Sequence, residues 1–178
     1  MKFKIPSALH TTCIDTPLGS VRLAATDAGL AGMWFDAQRH SPDTRGWQDN
    51  DLHPVLRQAA EQLLAYFDGR RDSFDLPLDL SHGTAFQQSV WQALLAIPRG
   101  ETTSYGALSH RLGRPAAVRA VGAAVGRNPI SVIVPCHRVV GADGSLTGYA
   151  GGLPRKTALL VLEGARGARA EGARGARA

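Results

Sequence analysis

The segment from Thr84 to Gly126 constrains the fold most, because glycine and proline break it into three short helical patterns. Thr84-Ala85-Phe86-Gln87 has capping-box form, with Thr84 as N-cap and Gln87 three residues on. Phe86, Val90, Trp91, Leu94 and Leu95 then form an apolar stripe that stops before Pro98-Arg99-Gly100. A second helix is expected from about Ser104 to Leu112. Gly113-Arg114 makes a short turn, and Pro115 takes the first position of a third helix. Helix, glycine-containing turn and helix is the helix-turn-helix pattern.

The third helix has two faces. Val118, Val121 and Val125 recur at core spacing, while Arg119 shares another face with Ala116 and Ala123. Ala117, Ala120, Gly122 and Ala124 keep the helix slim. Such a helix can enter a nucleic-acid groove with one arginine, or pack tightly on a neighbour with Arg119 in water. Charge bears on the choice. Residues 1–82 hold 8 Lys and Arg against 11 Asp and Glu, whereas residues 83–141 hold 6 Arg and one acid, Glu101. A basic second half suits a polyanionic partner, and it equally suits an ordinary solvated face.

The first half reads as strands. Turns at Thr16-Pro17-Leu18-Gly19 and Asp27-Ala28-Gly29 separate three apolar runs between Thr11 and Asp36. Residues 37–53 read as an exposed loop. A helix begins at Pro54 and ends at Asp68-Gly69, with Val55, Ala59, Leu63 and Tyr66-Phe67 inward. Phe74–Leu80 alternates and is expected as an edge strand. Cys13 near His10 lacks the paired spacing of a zinc site, so it reads as a strand residue.

The apolar run Ile130-Ser131-Val132-Ile133-Val134 reads as a buried strand that Pro135 ends. Cys136 and His137 follow. A thiol attacks only as thiolate, which a neighbouring imidazole favours; a buried structural cysteine is the plainer reading. Asn128 precedes the run, and Gly148-Tyr149-Ala150-Gly151-Gly152 is a loop whose backbone can approach a ligand closely. Pro154 starts a last helix with Leu159, Leu160 and Leu162 inward. Glu163 closes it, where a carboxylate opposes the helix dipole and calls for a partner. Two distant cysteines, Cys13 and Cys136, point to a reducing compartment, so a cytoplasmic protein is expected. No apolar run is long enough to span a membrane.

Phe86-Gln-Gln-Ser-Val-Trp91, Thr103-Ser-Tyr-Gly106, Arg119-Ala-Val-Gly122, Arg127-Asn-Pro129, Pro135-Cys-His-Arg-Val139, Gly148-Tyr-Ala-Gly-Gly152 and Leu159-Leu-Val-Leu-Glu-Gly164 together resemble the O6-alkylguanine-DNA alkyltransferase family. The resemblance implies an α/β (α+β) fold. A ribonuclease-H-like antiparallel sheet domain is expected at 1–82, and a mainly helical, winged-helix-like domain with the helix-turn-helix at 83–164. It implies that Cys136 takes an alkyl group from O6-alkylguanine, and by extension from O4-alkylthymine, in double-stranded DNA. His137 would take the thiol proton through a water, Glu163 would orient His137, and Asn128 would hold the turn. Tyr105 would donate to the departing base. Arg119, with Ala120, Gly122 and Ala123, would meet the minor groove, and Arg119 would fill the gap left by a flipped nucleotide. Backbone around Val139, Tyr149, Ala150 and Gly151 would form the substrate pocket, with Cys136 and Val139 carbonyls reading the guanine amino group. Ala150 stands where some members have serine, which predicts tolerance of larger alkyl groups. No metal, cofactor or membrane is implied, and a monomer is expected.

Residues 163–170 recur unchanged as 171–178, so 165–178 reads as a low-complexity basic tail. Two rivals keep their place: a non-catalytic helix-turn-helix regulator, and a cysteine hydrolase that would turn over repeatedly.

Overall fold

The computed structural model describes residues 9–166. Beyond Ala165 and Arg166, the expected basic tail lies outside the described residues. Strands β1 (His10–Thr16), β2 (Gly19–Thr26) and β3 (Gly29–Phe35) form an antiparallel meander at the two expected turns. A two-residue strand, β4 (Gln48–Asp49), adds to β1 in parallel, giving the order β3-β2-β1-β4. The apolar continuity of β3 follows from burial on both faces. Leu30, Met33 and Phe35 join the main core, and Ala31 and Trp34 pack with Leu9 and Ala24 under Trp47.

Helix α1 (Pro54–Phe67) covers the core face with Leu56, Ala59, Leu63 and Tyr66. The stretch Phe74–Leu80 is not the expected edge strand. It makes one parallel bridge, Leu30 to Leu78, because Pro77 has no N–H and Gln62 occupies both backbone groups of Asp75 at 2.8 Å.

Helix α2 (Ala85–Leu95) opens with the capping box read from the sequence: Thr84 Oγ1 accepts from the Gln87 amide at 3.1 Å, and Gln87 Oε1 from the Thr84 amide at 3.0 Å. Trp91 Nε1 donates to the Ala124 carbonyl at 2.8 Å, tying α2 to α4 (Val118–Gly126). Between them run β5 (Thr103–Ser104) and α3 (Tyr105–Arg111), the latter capped by Ser104 Oγ. Helix α4 begins three residues later than Pro115, because residues 114–117 close a turn through the Ala117 amide and the Arg114 carbonyl at 2.9 Å. Val118 therefore lies at the helix start, 38% exposed, and Val121 and Val125 carry the core face. β6 (Val139–Val140) pairs with β5 in parallel, and α5 (Leu153–Leu162) closes the fold.

The run Ile130–Val134 is buried as expected but is not a strand. Val134 N donates to the Ile130 carbonyl at 3.0 Å, and Val132 sits at φ +69°, a left-handed conformation that a β-branched residue rarely adopts. Only one ladder contact survives, Met33 with Ile130, through Met33 N to Pro129 O at 2.9 Å and Ser131 N to Met33 O at 3.1 Å. That bridge lays the approach to Cys136 on the free edge of β3.

Candidate active site

Asn128 explains why the chain turns. Its Nδ2 faces the Val134 carbonyl at 2.8 Å, the Ile130 carbonyl at 3.3 Å and Cys136 Sγ at 3.1 Å, while Oδ1 accepts from the Ile130 amide at 3.0 Å. One side chain thus supplies the bonds that a sheet ladder would have supplied and also holds the sulfur. Cys136–Arg138 follow as a single 3₁₀ turn. Cys136 is buried, and burial pushes its thiol up, opposed by the Asn128 bond and the positive charge of Lys156. At neutral pH the group is a thiol that must lose its proton to react.

His137 is fully buried, and Nε2 lies 2.9 Å from Glu163 Oε1. A carboxylate accepts only, so Nε2 carries the hydrogen and Nδ1 keeps its lone pair, with no protein partner. Burial lowers the proton affinity of His137 despite Glu163, which leaves a neutral base. The partner that Glu163 requires is in fact a set of three. Arg138 reaches Oε1 through Nη2 at 2.8 Å and Oε2 through Nε at 3.0 Å, and the Tyr66 hydroxyl donates to Oε1 at 2.5 Å. Burial alone would raise the Glu163 carboxyl; the bonds from His137, Arg138 and Tyr66 bring it well below the ordinary carboxylate range.

Cys136 lines a cleft of about 150 Å³ with Tyr105, Gly122, Val125, Gly126, Gly148, Tyr149, Ala150, Arg39 and His40. The cleft brings Tyr149 and Ala150 of the expected pocket together with Cys136 and Tyr105. Tyr105 packs beside Gly122 on α4, where an added Cβ would meet the ring at 3.7 Å, and its hydroxyl points to the Thr147 carbonyl at 3.4 Å. Val139 and Gly151 are not among the lining residues. Val139 is fully buried, and its carbonyl accepts from Lys156 Nζ at 2.6 Å; the Cys136 carbonyl accepts from the Val139 amide. Each carbonyl expected to read a guanine amino group therefore already accepts one hydrogen bond within the protein. Gly151 acts from behind, since a Cβ there would stand 2.7 Å from Tyr149 Cε1.

Several site residues are not legible from the sequence. Arg39 and His40 come from the loop after β3, pinned by the Arg39 amide to the Ala150 carbonyl at 3.0 Å. Lys156 is fully buried on α5, with Nζ also 3.0 Å from the Thr147 carbonyl, and burial lowers it to about 8. Its position on the inward face with Leu159 and Leu160 was the available signal. Arg119, Ala120 and Ala123 lie exposed on α4, clear of the cleft, and Gly122 is half-buried between them and Tyr105. Cys13 is exposed on β1, and among the described residues no group of three or more His, Cys, Asp or Glu side chains is placed to hold a metal ion.

A helix-turn-helix whose exposed helix carries an arginine, with a buried thiol in a cleft beside it and next in sequence to a carboxylate-held imidazole, defines a class of DNA-binding protein with a nucleophilic cysteine. Comparison with known proteins narrows the class. The family model described as 6-O-methylguanine DNA methyltransferase, DNA binding domain, matches residues 85–165, and that described as 6-O-methylguanine DNA methyltransferase, ribonuclease-like domain, matches residues 9–80. The methylated-DNA–protein-cysteine methyltransferase of Mycobacterium tuberculosis is 49% identical over 89% of this chain and 94% of its own length. That of Methanosarcina barkeri is 48% identical over 87% of this chain and 97% of its own. The crystal structure of Mycobacterium tuberculosis OGT in complex with DNA superposes with a TM-score of 0.81 at 49% identity, over 86% of this chain and 92% of that one. The chain belongs to the methylated-DNA–protein-cysteine methyltransferase family.

Proposed function

We propose that Cys136 is the acceptor in a direct, stoichiometric transfer of an alkyl group from O6-alkylguanine in double-stranded DNA, a DNA-repair reaction. The observation that carries the reading is the Glu163-anchored imidazole beside a buried thiol, since the anchor fixes the tautomer that leaves Nδ1 basic. The Sγ–H proton passes to His137 Nδ1, by way of a water, and Glu163 balances the imidazolium. Sulfur then attacks the alkyl carbon in line, an S–C bond forms, and the C–O6 bond breaks toward the base. The Tyr105 hydroxyl donates a hydrogen bond to the departing base, which takes a proton from water as the His137 imidazolium returns its own to solvent. The thioether has no route back to thiol, so each molecule acts once.

A buried thiol cannot reach a stacked base, so the nucleotide must swing out of the duplex. The slim exposed face of α4 suits a minor groove, with Arg119 filling the gap. On this reading residues 83–164 carry DNA binding and transfer, residues 1–82 form the ribonuclease-H-like part, and the protein works as a monomer on side-chain chemistry alone. It belongs in the cytoplasm, where the thiol stays reduced. No helix of the described residues is long and apolar enough to cross a membrane.

Intact-mass spectrometry after incubation with O6-methylguanine duplex tests the proposal. One methyl group per chain, mapped to Cys136 and lost in Cys136→Ala, is the expected result; DNA binding without an adduct makes the chain a regulator, and repeated turnover makes it a hydrolase. The same assay with O4-methylthymine and with bulkier O6 adducts, in the parent and in Ala150→Ser, reads the breadth of the pocket. The serine variant is expected to lose rate on the bulky adducts, and equal rates in both proteins remove Ala150 as the cause.

A further inference from the structure

The relay described above lies in the second half of the chain, yet one of its donors comes from the first. Tyr66 stands on the last turn of α1, fully buried, and its hydroxyl donates to Glu163 Oε1 at 2.5 Å across 97 residues of sequence. Its ring cannot swing away. Phe67 and Phe74 pack on it with centroids at 5.5 and 5.2 Å, and the Arg99 guanidinium lies 5.4 Å above its centre. Arg99 is itself fixed by the carbonyls of Arg71 and Leu162, both at 3.0 Å. The phenol proton therefore has one direction, toward the carboxylate.

Oε1 accepts from Tyr66, His137 and Arg138 together, whereas Oε2 accepts from Arg138 alone. Every donor on Oε1 draws off charge that would otherwise strengthen its bond to His137 Nε2–H. The groups facing the relay are then few: Tyr66 from α1, His137 and Arg138 from the 3₁₀ turn, Arg99 above the phenol ring, and Lys156 from α5, whose positive charge acts on His137. All but Tyr66 belong to residues 85–165. We propose that Tyr66 is a positioning residue for the transfer reaction, through which the sheet-and-helix half of the molecule sets the orientation of Glu163 and the proton affinity of His137. The inference rests on the proposed alkyl transfer, because His137 matters here as the base that accepts the Cys136 proton.

The sign follows from charge. Without the phenol hydroxyl, Oε1 becomes the stronger acceptor, the imidazolium is better stabilised, and His137 holds its proton to higher pH. The Tyr66→Phe full-length protein should bind O6-methylguanine duplex as the parent does, but the acid limb of its transfer rate against pH should move up by about half a unit or more. A role in packing alone would lower the melting temperature and leave that limb where it was, and such a result overturns the proposal. Should the variant fail to fold, the parent protein carries the test. Its His137 ¹⁵N resonances should show a protonated Nε2 and an unprotonated Nδ1 at pH 8, and should show the same tautomer whether or not DNA is added. The opposite tautomer removes the hydrogen bond on which Tyr66 acts. Absence of methyl transfer in the parent refutes the functional reading instead, and the two failures are therefore distinct.

Discussion

Glu163 gathers one charged donor, Arg138, and two neutral ones, Tyr66 and His137, in a place closed to water, and the consequence is a carboxylate that stays ionised far into acid. Its bonds from His137, Arg138 and Tyr66 form in the folded state only. Because its folded affinity for protons is depressed, the stability it contributes is complete above the ordinary carboxylate value of about 4.3 and disappears as pH falls toward the folded value. Glu163→Gln keeps the shape and removes the charge. Transfer to Cys136 should slow by about a hundredfold, the range of lost acid–base assistance. Urea unfolding should show the parent more stable than the variant at pH 7, with the gap narrowing between pH 5 and pH 3. A gap that stays constant across that range would show that the charge at Glu163 plays no part in holding the cluster together. The Gln side chain can still accept from Arg138, so the loss falls mainly on the base.

At the scale of elements, what the sequence reveals depends on how local the cause is. The capping box at Thr84 and the Pro54 start of α1 are visible because each is decided within four residues, whereas the start of α4 is displaced by the turn at 114–117. The stretch from Ile130 to Val134 misleads because its composition reports burial, which is correct, and not conformation. The turn is imposed by Asn128, whose amide replaces the ladder. Arg39, His40 and Tyr66 were invisible for a related reason: each reaches the site only once β3 and α1 have packed on the second half. Cys136, His137 and Glu163 were singled out as a triad through motif resemblance more than through spacing. Gly122 joins these scales. It lies inside α4, its added Cβ would make ordinary contact with Tyr105 at 3.7 Å, and it lines the cleft. Gly122→Ala should therefore stabilise the protein by up to about 1 kcal/mol through helix propensity while narrowing the cleft. The expected outcome is a higher melting temperature, methyl transfer little changed, and transfer of a benzyl group slowed severalfold. Equal slowing of both substrates would place the residue at the DNA surface and not at the alkyl group.

Over the whole molecule, two family models match two separate segments, residues 9–80 and 85–165, which invites a picture of two independent folding units. The packing argues otherwise. A single core runs from Val21, Leu23, Met33 and Phe35 through Leu56 and Tyr66 to Trp91, Val121, Ile130 and Leu159. Backbone bonds cross it at Met33 to Pro129 and Ser131, and at Arg39 to Ala150; side chains cross it at Tyr66 to Glu163, Gln38 to Ser131, and Arg155 to the Leu18 carbonyl. Separation would expose the buried relay to water and leave the carbonyl, amide and carboxylate partners of both segments unpaired. A segment of about 80 residues also buries a smaller share of its surface than the whole chain does. The three tryptophans give the means of a test, since Trp34 belongs to β3, Trp47 packs on it, and Trp91 joins α2 to α4. With fluorotryptophan incorporated, all three ¹⁹F resonances should move from native to unfolded positions at one urea concentration, along a single cooperative curve. Loss of the Trp91 signal at lower urea than the other two would establish a second half that opens by itself, and the Tyr66 contact would then hold two units together instead of completing one.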